Sequence, residues 1–500
     1  MKATMLSIFF TDNLTAILSC GVGALVLWLT FRRPSGTPPG PGFPLPLVGH
    51  ALSIGKNPKK KFREWHKKYG DIFSVYIGNR LVIILNGYEV LKDAFVKHGD
   101  VFSDRPHVFV VDEVSNGMGL AGTSGQVWKE QRRFTLSTLR DFGMGRNILQ
   151  VKVNEESASF LHEIAGMKGK KFDFRDLIHT AVANIITSIV LGKRFVYGDQ
   201  FFKDLTAKID ENLQSVGATA GLNFIPLARY IPGDPFKFKR TLANLAFFVN
   251  NLTKPSMDEH LKEYDESNID DYISAYIREI KRKERENAES SIGLENLEKV
   301  IGDLFLAGTE TTATTIRWAV LLLLKYPEIQ EKCFQEIKMN IGQERLPLMS
   351  DKLELPYVEA TIAEIQRVAN IIPVSIWHSV PHDLKFRGYT FPKGVIVLPN
   401  IDSVLMNPGT FKDPERFQPE RFLDDDGKFV KPEELIPFFL GKRACIGESL
   451  ARMELFLFLT AMIQRFRFQQ PEDEQPPTME AVPGVTFAPL PFKFIAAPRV

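Results

Sequence analysis

Cysteine is scarce in this 500-residue chain, with only Cys20, Cys333 and Cys445. So few thiols, so far apart, give no disulfide framework, which places the main body in a reducing compartment. There is no CxxC and no HExxH, so the common zinc sites are excluded. A GxxxxGK(S/T) phosphate loop is missing too. One GxGxxG occurs, at Gly117-Met118-Gly119-Leu120-Ala121-Gly122. Thr123-Ser124-Gly125 follows where a dinucleotide site needs a helix to open, so the segment reads as a flexible loop. Charge of one sign is also lacking. The 62 basic and 60 acidic residues leave a net +2, which gives no electrostatic case for nucleic acid. Internal repeats and low-complexity tracts are absent.

Apolar residues are plentiful: the hydrophobic fraction is 44%, with 39 Phe. That suits an apolar ligand, and equally a large ordinary core. Leu14 to Phe31 carries no charge; as a helix it would be roughly 27 Å long, near the ~30 Å of a bilayer core. Arg32 and Arg33 follow at once, and Lys56, Lys59, Lys60 and Lys61 soon after. The positive-inside rule then keeps the body cytosolic. A cleaved signal peptide would be shorter and followed by small residues. Next comes Thr37-Pro38-Pro39-Gly40-Pro41-Gly42-Phe43-Pro44-Leu45-Pro46, a stiff, extended spacer. The expected organisation is an anchor over 1–33, a hinge over 34–49, and one domain over 50–500.

Within that domain, 70–90 reads as two short strands around a turn. Helices are expected most clearly at 126–140, 174–192, 239–263, 268–287, 294–325, 355–370 and 446–466. Strand character returns at 384–401, and 402–444 is rich in loops. The fold class is mainly α with small β-sheets.

The strongest chemical signal is Phe438-Phe439-Leu440-Gly441-Lys442-Arg443-Ala444-Cys445-Ile446-Gly447. It fits F-x-x-G-x-R-x-C-x-G, a pattern expected by chance on the order of 1 in 10,000 over such a chain. Gly441 permits a tight turn and Gly447 a close backbone approach to a flat cofactor. Loop amides and the start of the next helix stabilise a negative sulfur. Arg443 offers a charge-assisted bond to a carboxylate. A lone Cys is ordinarily a small buried hydrophobe, and Cys333 and Cys20 are read that way.

A second signal is Ala307-Gly308-Thr309-Glu310-Thr311-Thr312, in the middle of the 294–325 helix. Gly and clustered Thr are poor helix-centre residues. A Thr311 hydroxyl bonded back to the Ala307 carbonyl would loosen the ladder and make room for a small molecule. Glu310 supplies a titratable neighbour; a tolerated flaw in a buried helix is the plain alternative. Third, Glu364 and Arg367 share a helix face at i,i+3, and Arg416 and Arg421 of two PERF runs compete to join them. Fourth, Trp128 and Arg132 at i,i+4 are placed to bind a carboxylate together, or to form a buried Trp with a snorkelling Arg.

Taken in order along the chain, these motifs resemble the cytochrome P-450 family, microsomal family 2 type. The resemblance implies a P-450 fold behind one N-terminal transmembrane helix in the endoplasmic reticulum membrane, with the catalytic domain cytosolic. It implies haem b with Cys445 as axial thiolate, and Thr311 with Glu310 beside it delivering protons to oxygen. Trp128, Arg132, His378 and Arg443 match propionate contacts; Ala307, Phe438 and Gly447 match the haem surround; Arg421 completes the Glu364–Arg367 triad. The implied reaction inserts one atom of O2 into an apolar small molecule (lipid, steroid, fatty acid or xenobiotic). Electrons would come from a separate NADPH-cytochrome P-450 reductase, with cytochrome b5 an optional donor. Lys129, Arg133, Arg140 and Lys442 would face an acidic partner. Substrate would meet Val108, Phe109, Val110, Leu304, Ala307, Thr311, Ile372, Val374, Val485 and Thr486, and Ala218–Pro232 would dip into the membrane. Four departures stand out: the hinge has one residue more than usual between Pro41 and Pro46, Phe439 replaces a common Ser, Trp377 precedes His378 where Pro is usual, and 111–123 contain no Arg where relatives often have one.

Overall fold

Much of the chain is helical, while the apolar runs Ile72–Ile77 and Arg80–Leu85 pair as strands. The computed structural model describes residues 16–23, 33–55, 57–144 and 147–499. Its longer helices are α1 (Pro58–Tyr69), α2 (Gly125–Asp141), α3 (Asn147–Gly166), α4 (Arg175–Val190), α5 (Gln200–Thr219), α6 (Phe238–Phe248), α7 (Tyr272–Arg285), α8 (Leu294–Lys325), α9 (Pro327–Asn340), α10 (Pro356–Ala369) and α11 (Glu448–Arg465). The expected 239–263 helix is α6 continued through a π-turn at Val249–Thr253 into Lys254–Lys262. Helices α1, α3, α5 and α9 were not among those expected most clearly.

Helix α8 organises the fold. Every residue from Thr312 to Leu323 is buried, as suits a helix that is apolar all round. It stops at Tyr326 (φ −127°, ψ 68°), which Pro327 keeps out of helical geometry. Helix α4 lies along it, and Gly308 allows the approach: a Cβ there would come within 3.0 Å of the Ile186 side chain. Helix α11 is buried on its other side, and one large apolar cluster joins α3, α4, α7, α8 and α11.

Four strands form a mixed sheet: β1 (Ile72–Ile77), β2 (Arg80–Leu85), β3 (His378–Ser379) and β4 (Ile396–Pro399), in the order β1-β2-β4-β3. The β1–β2 and β3–β4 pairs are antiparallel, and β2–β4 is parallel. Alternate residues feed two cores. Ile83, Leu85 and Val397 face one, and Val82, Ile84, Ile396 and Leu398 the other, as period-2 geometry requires.

The proline-rich segment runs extended along β1. Ser74 donates from its amide to the Pro39 carbonyl at 2.7 Å and from its hydroxyl to the Pro38 carbonyl at 2.7 Å. A Cβ at Gly40 would overlap the Ser74 carbonyl. Among the described residues no helix is long and apolar enough to cross a membrane. Of the expected anchor over 1–33, residues 16–23 are described as a short exposed helix and Arg33 as the start of the segment that follows; the rest, with Arg32, lies outside the described residues.

Candidate active site

The cysteine loop is shaped by its glycines. Gly441 has φ +74°, and a Cβ there would overlap the Phe95 carbonyl, so only glycine fits. The loop closes through the Cys445 amide, which donates to the Phe438 carbonyl at 3.0 Å. Helix α11 then starts at Glu448. Cys445 has its surface on an internal cavity, so it is exposed by area yet sits deep in the protein. Burial pushes its thiol up; the Gly447 amide bonded to it and the Arg132 charge pull it back. Cys333 meets the Thr361 hydroxyl at 3.3 Å, and burial pushes its thiol up to about 12, which makes it inert.

The cavity has a volume of about 300 Å³ and lies between α8 and the Cys445 loop. Trp128, Arg132, Ala307, Thr311, Phe438, Arg443, Cys445 and Gly447 all line it, so eight of the residues singled out from sequence converge. His378 is not on its wall. Phe439, at φ +61°, is; its ring lies 4.9 Å from Phe95 and 5.6 Å from His378.

Three guanidiniums meet at the rim. Arg132 donates to the Ala444 carbonyl at 2.6 Å. Arg443 donates to the Ser103 carbonyl at 2.7 Å and the Thr123 carbonyl at 2.5 Å, and lies 3.8 Å over the Trp128 ring. The third is Arg105, which sequence reasoning missed by looking only at 111–123. It donates to the carbonyls of Ala121 at 3.0 Å and Trp377 at 2.9 Å. Among the described residues, no carboxylate pairs with any of them. Burial, then mutual repulsion, pushes Arg105 down to about 9 and Arg443 down to about 8. Beside them His378 is fully buried. Its Nδ1 bonds the Phe102 carbonyl at 2.6 Å, and its Nε2 has no partner. Burial and the charges of Arg105 and Arg443 hold it well below the usual histidine range.

On α8, Thr311 Oγ1 donates to the Ala307 carbonyl at 2.7 Å, as expected from spacing, but the helix stays unbroken through it. Glu310 needs a correction. It does not line the cavity, because adjacent helix residues point about 100° apart. Its Oε1 accepts from Thr314 at 2.9 Å and Thr486 at 2.8 Å, and its Oε2 lies 3.8 Å from His179 Nε2. Of the expected substrate contacts, Leu304, Ala307, Thr311 and Ile372 are on the wall. Val108 and Val374 pack on the sheet core, Phe109 and Val110 pack near Phe238, and Thr486 is committed to Glu310. Asp303 is an unexpected lining residue. Its Oδ2 accepts from the Leu120 and Ala121 amides at 2.7 and 3.0 Å. The anion held by the glycine-rich loop is thus the chain's own.

The Glu364–Arg367 pair is bidentate at 2.7 and 2.8 Å, with both side chains 0% exposed. Arg421 reaches Glu364 at 3.1 Å. Arg416 contributes only its carbonyl.

These residues fit haem. Clustered buried cations without a counter-ion are unfavourable until an anion joins them. A macrocycle with two propionates supplies that charge, while the loop cysteine is free to bind iron. A family model for Cytochrome P450 matches residues 38–496. The chain is 38% identical to cytochrome P450 2C23 of Rattus norvegicus over 498 residues, covering 98% of this chain and 99% of that one. It is 40% identical to cytochrome P450 2C39 of Mus musculus over 465 residues (91% and 94%), and 37% identical to cytochrome P450 2U1 of Homo sapiens over 513 residues (97% and 94%). Matched across nearly its whole length, the chain belongs to the cytochrome P450 family of haem-thiolate monooxygenases.

Proposed function

We propose that this enzyme inserts one atom of O2 into an apolar small molecule at the cytosolic face of the endoplasmic reticulum. A separate NADPH-dependent flavoprotein reductase supplies electrons singly, with cytochrome b5 an optional donor. The carrying observation is the cavity, which sets the Cys445 sulfur and the Thr311 hydroxyl among apolar walls such as Ile186, Leu304, Ile371 and Ile372.

Haem bound at Cys445 supplies oxygen activation, favoured by electron density from the thiolate. The chain's own residues do the rest. Arg105, Arg132, Arg443 and Trp128 would hold the propionates of a bound haem, and an anion there would favour a proton on His378 Nε2, which has no partner within the protein. The Gly447 amide steadies the sulfur. Ala307 and Gly308 keep bulk away from the reacting side. The Thr311 proton rests on the Ala307 carbonyl. Turning it into the cavity gives up a bond worth about 0.5–1.5 kcal/mol. Glu310 has no face on the cavity, so Thr311 acts without it as an immediate neighbour.

Lys129, Arg133 and Arg140 are exposed on α2, whose Arg132 touches the cysteine loop, and among the described residues none of the three is in an ion pair. Lys442 is tied to Asp100 and contributes less. This basic face suits an acidic reductase. In reconstituted membranes with reductase, NADPH and isotopically labelled O2, label should enter an apolar substrate such as a fatty acid. Lys129→Glu with Arg133→Glu should cut that rate about tenfold at low salt and less at high salt. Label arriving without reductase overturns the electron route; an unchanged rate in the double variant overturns the docking face.

A second surface supports the membrane reading. Leu45, Leu47 and Leu52 are exposed, as are Leu227, Tyr230 and Ile231. The two segments come together at Gly78, where a Cβ would meet the Phe224 side chain at 2.6 Å and the Leu47 carbonyl at 3.5 Å. An apolar patch of this kind marks a partner surface, and here it dips into lipid beside the anchor. A cysteine at 227 should be protected from a water-soluble thiol reagent in liposomes; full labelling there counts against insertion.

A further inference from the structure

Glu454 is a buried acid that the reading above does not use. It stands on the second turn of α11 with 1% of its surface exposed. Together with Thr312 of α8 it forms part of the cavity wall. The Thr312 side chain is the group that acts on the carboxyl, Oε1 has no hydrogen-bond partner, and among the described residues no cation acts on it from α8, α10 or α11. Glu310 differs, with two hydroxyls on one oxygen and Arg317 in its field. A charge placed like Glu454 is costly to bury.

We propose that Glu454 is carried as a neutral carboxylic acid and, with Thr312, forms a second proton-holding pair on the cavity wall beside Thr311. The Thr312 hydroxyl passes its proton to cavity water as it takes the Glu454 proton. The resulting carboxylate takes a proton back from solvent, so the pair returns unchanged and the reaction gains one proton. Glu454 acts through Thr312 and is a positioning residue rather than a catalytic one. Burial, opposed only by the Thr312 bond, pushes its carboxyl up to about 8. The stability that protonation confers is therefore complete at acid pH. It is lost as pH rises through about 8, a loss that Glu454→Gln should not share.

The purpose of the pair rests on the oxygen-insertion reading; its protonation does not. Infrared spectra of the full-length holoenzyme in membranes, taken as wild type minus Glu454→Gln, test the protonation directly. A protonated-acid carbonyl band is expected at neutral pH. It should shift in D2O, fade as pH rises through about 8, and move in frequency in Thr312→Val. In NADPH-driven turnover, Glu454→Gln should yield several-fold less product per NADPH, with a changed solvent isotope effect. If Glu454→Gln fails to take up haem, Thr312→Val against wild type carries the same comparison. A missing band at neutral pH, or one that survives in Glu454→Gln, overturns the proposal. A normal band with wild-type coupling and pH profile in Glu454→Gln overturns the proton supply. Absent oxygenation with the band present counts against the proposed function instead, since the band needs no turnover.

Discussion

Cys445→Ser should abolish the strongly red-shifted Soret band of the reduced, CO-bound protein in membranes, and with it all reductase-supported oxygenation. The serine oxygen keeps the loop's backbone bonds, which involve the Cys445 amide rather than its side chain. It is, however, too weak an acid to replace a thiolate donor at iron. Haem can still enter, because the guanidinium cluster and Trp128 are untouched. The expected spectrum is thus that of haem with a neutral proximal ligand. Cys333→Ser is the control. Its sulfur is buried against Thr361, and the band should persist. A red-shifted band in Cys445→Ser would withdraw the sulfur from the mechanism altogether.

The other large effect is on folding. Removing one partner of a buried ion pair costs about 3–5 kcal/mol, because the other is left charged and unpaired. Arg367→Leu strips Glu364 of two hydrogen bonds and leaves it Arg421 at 3.1 Å and the Gln418 amide at 2.9 Å, so the loss falls toward the lower end of that range. A loss of that size is a large part of a typical stability of about 5–15 kcal/mol. The variant should accumulate as haem-free, aggregated protein. Arg421→Leu should be milder, since the bidentate pair survives. Arg416→Leu should change stability by less than about 0.5 kcal/mol, because its exposed side chain takes no part. Denaturation midpoints of the haem-loaded proteins check the ranking; equal losses for Arg416 and Arg421 would contradict the geometry.

Much of the site was legible in the sequence because backbone geometry dictates residue type there. Gly441 cannot carry a side chain against Phe95, and the pattern around Cys445 preserves that fact. Helix α8 was readable from end to end because Pro327 stops it. The Thr311–Ala307 bond followed from i,i−4 spacing alone. Other parts depend on distances between segments, which spacing does not encode. Arg105 acquires its meaning only where its loop meets Ala121 and Trp377. Glu310 was misplaced because neighbours in sequence point in different directions on a helix. Helix α3 was not named because its apolar residues do not gather on one face. Glu454 gives no local signal; its character comes from what surrounds it.

The proline-rich segment has a further consequence. Ser74 clasps Pro38 and Pro39 from two directions, so the segment is a rigid mount and not a leash. Residues 33–40 therefore take their heading from the edge of the sheet. The critical point of that mount is Gly40. Gly40→Ala would drive a methyl into the Ser74 carbonyl and prise the clasp open, turning a fixed bearing into a swivel without altering a single residue of the cavity.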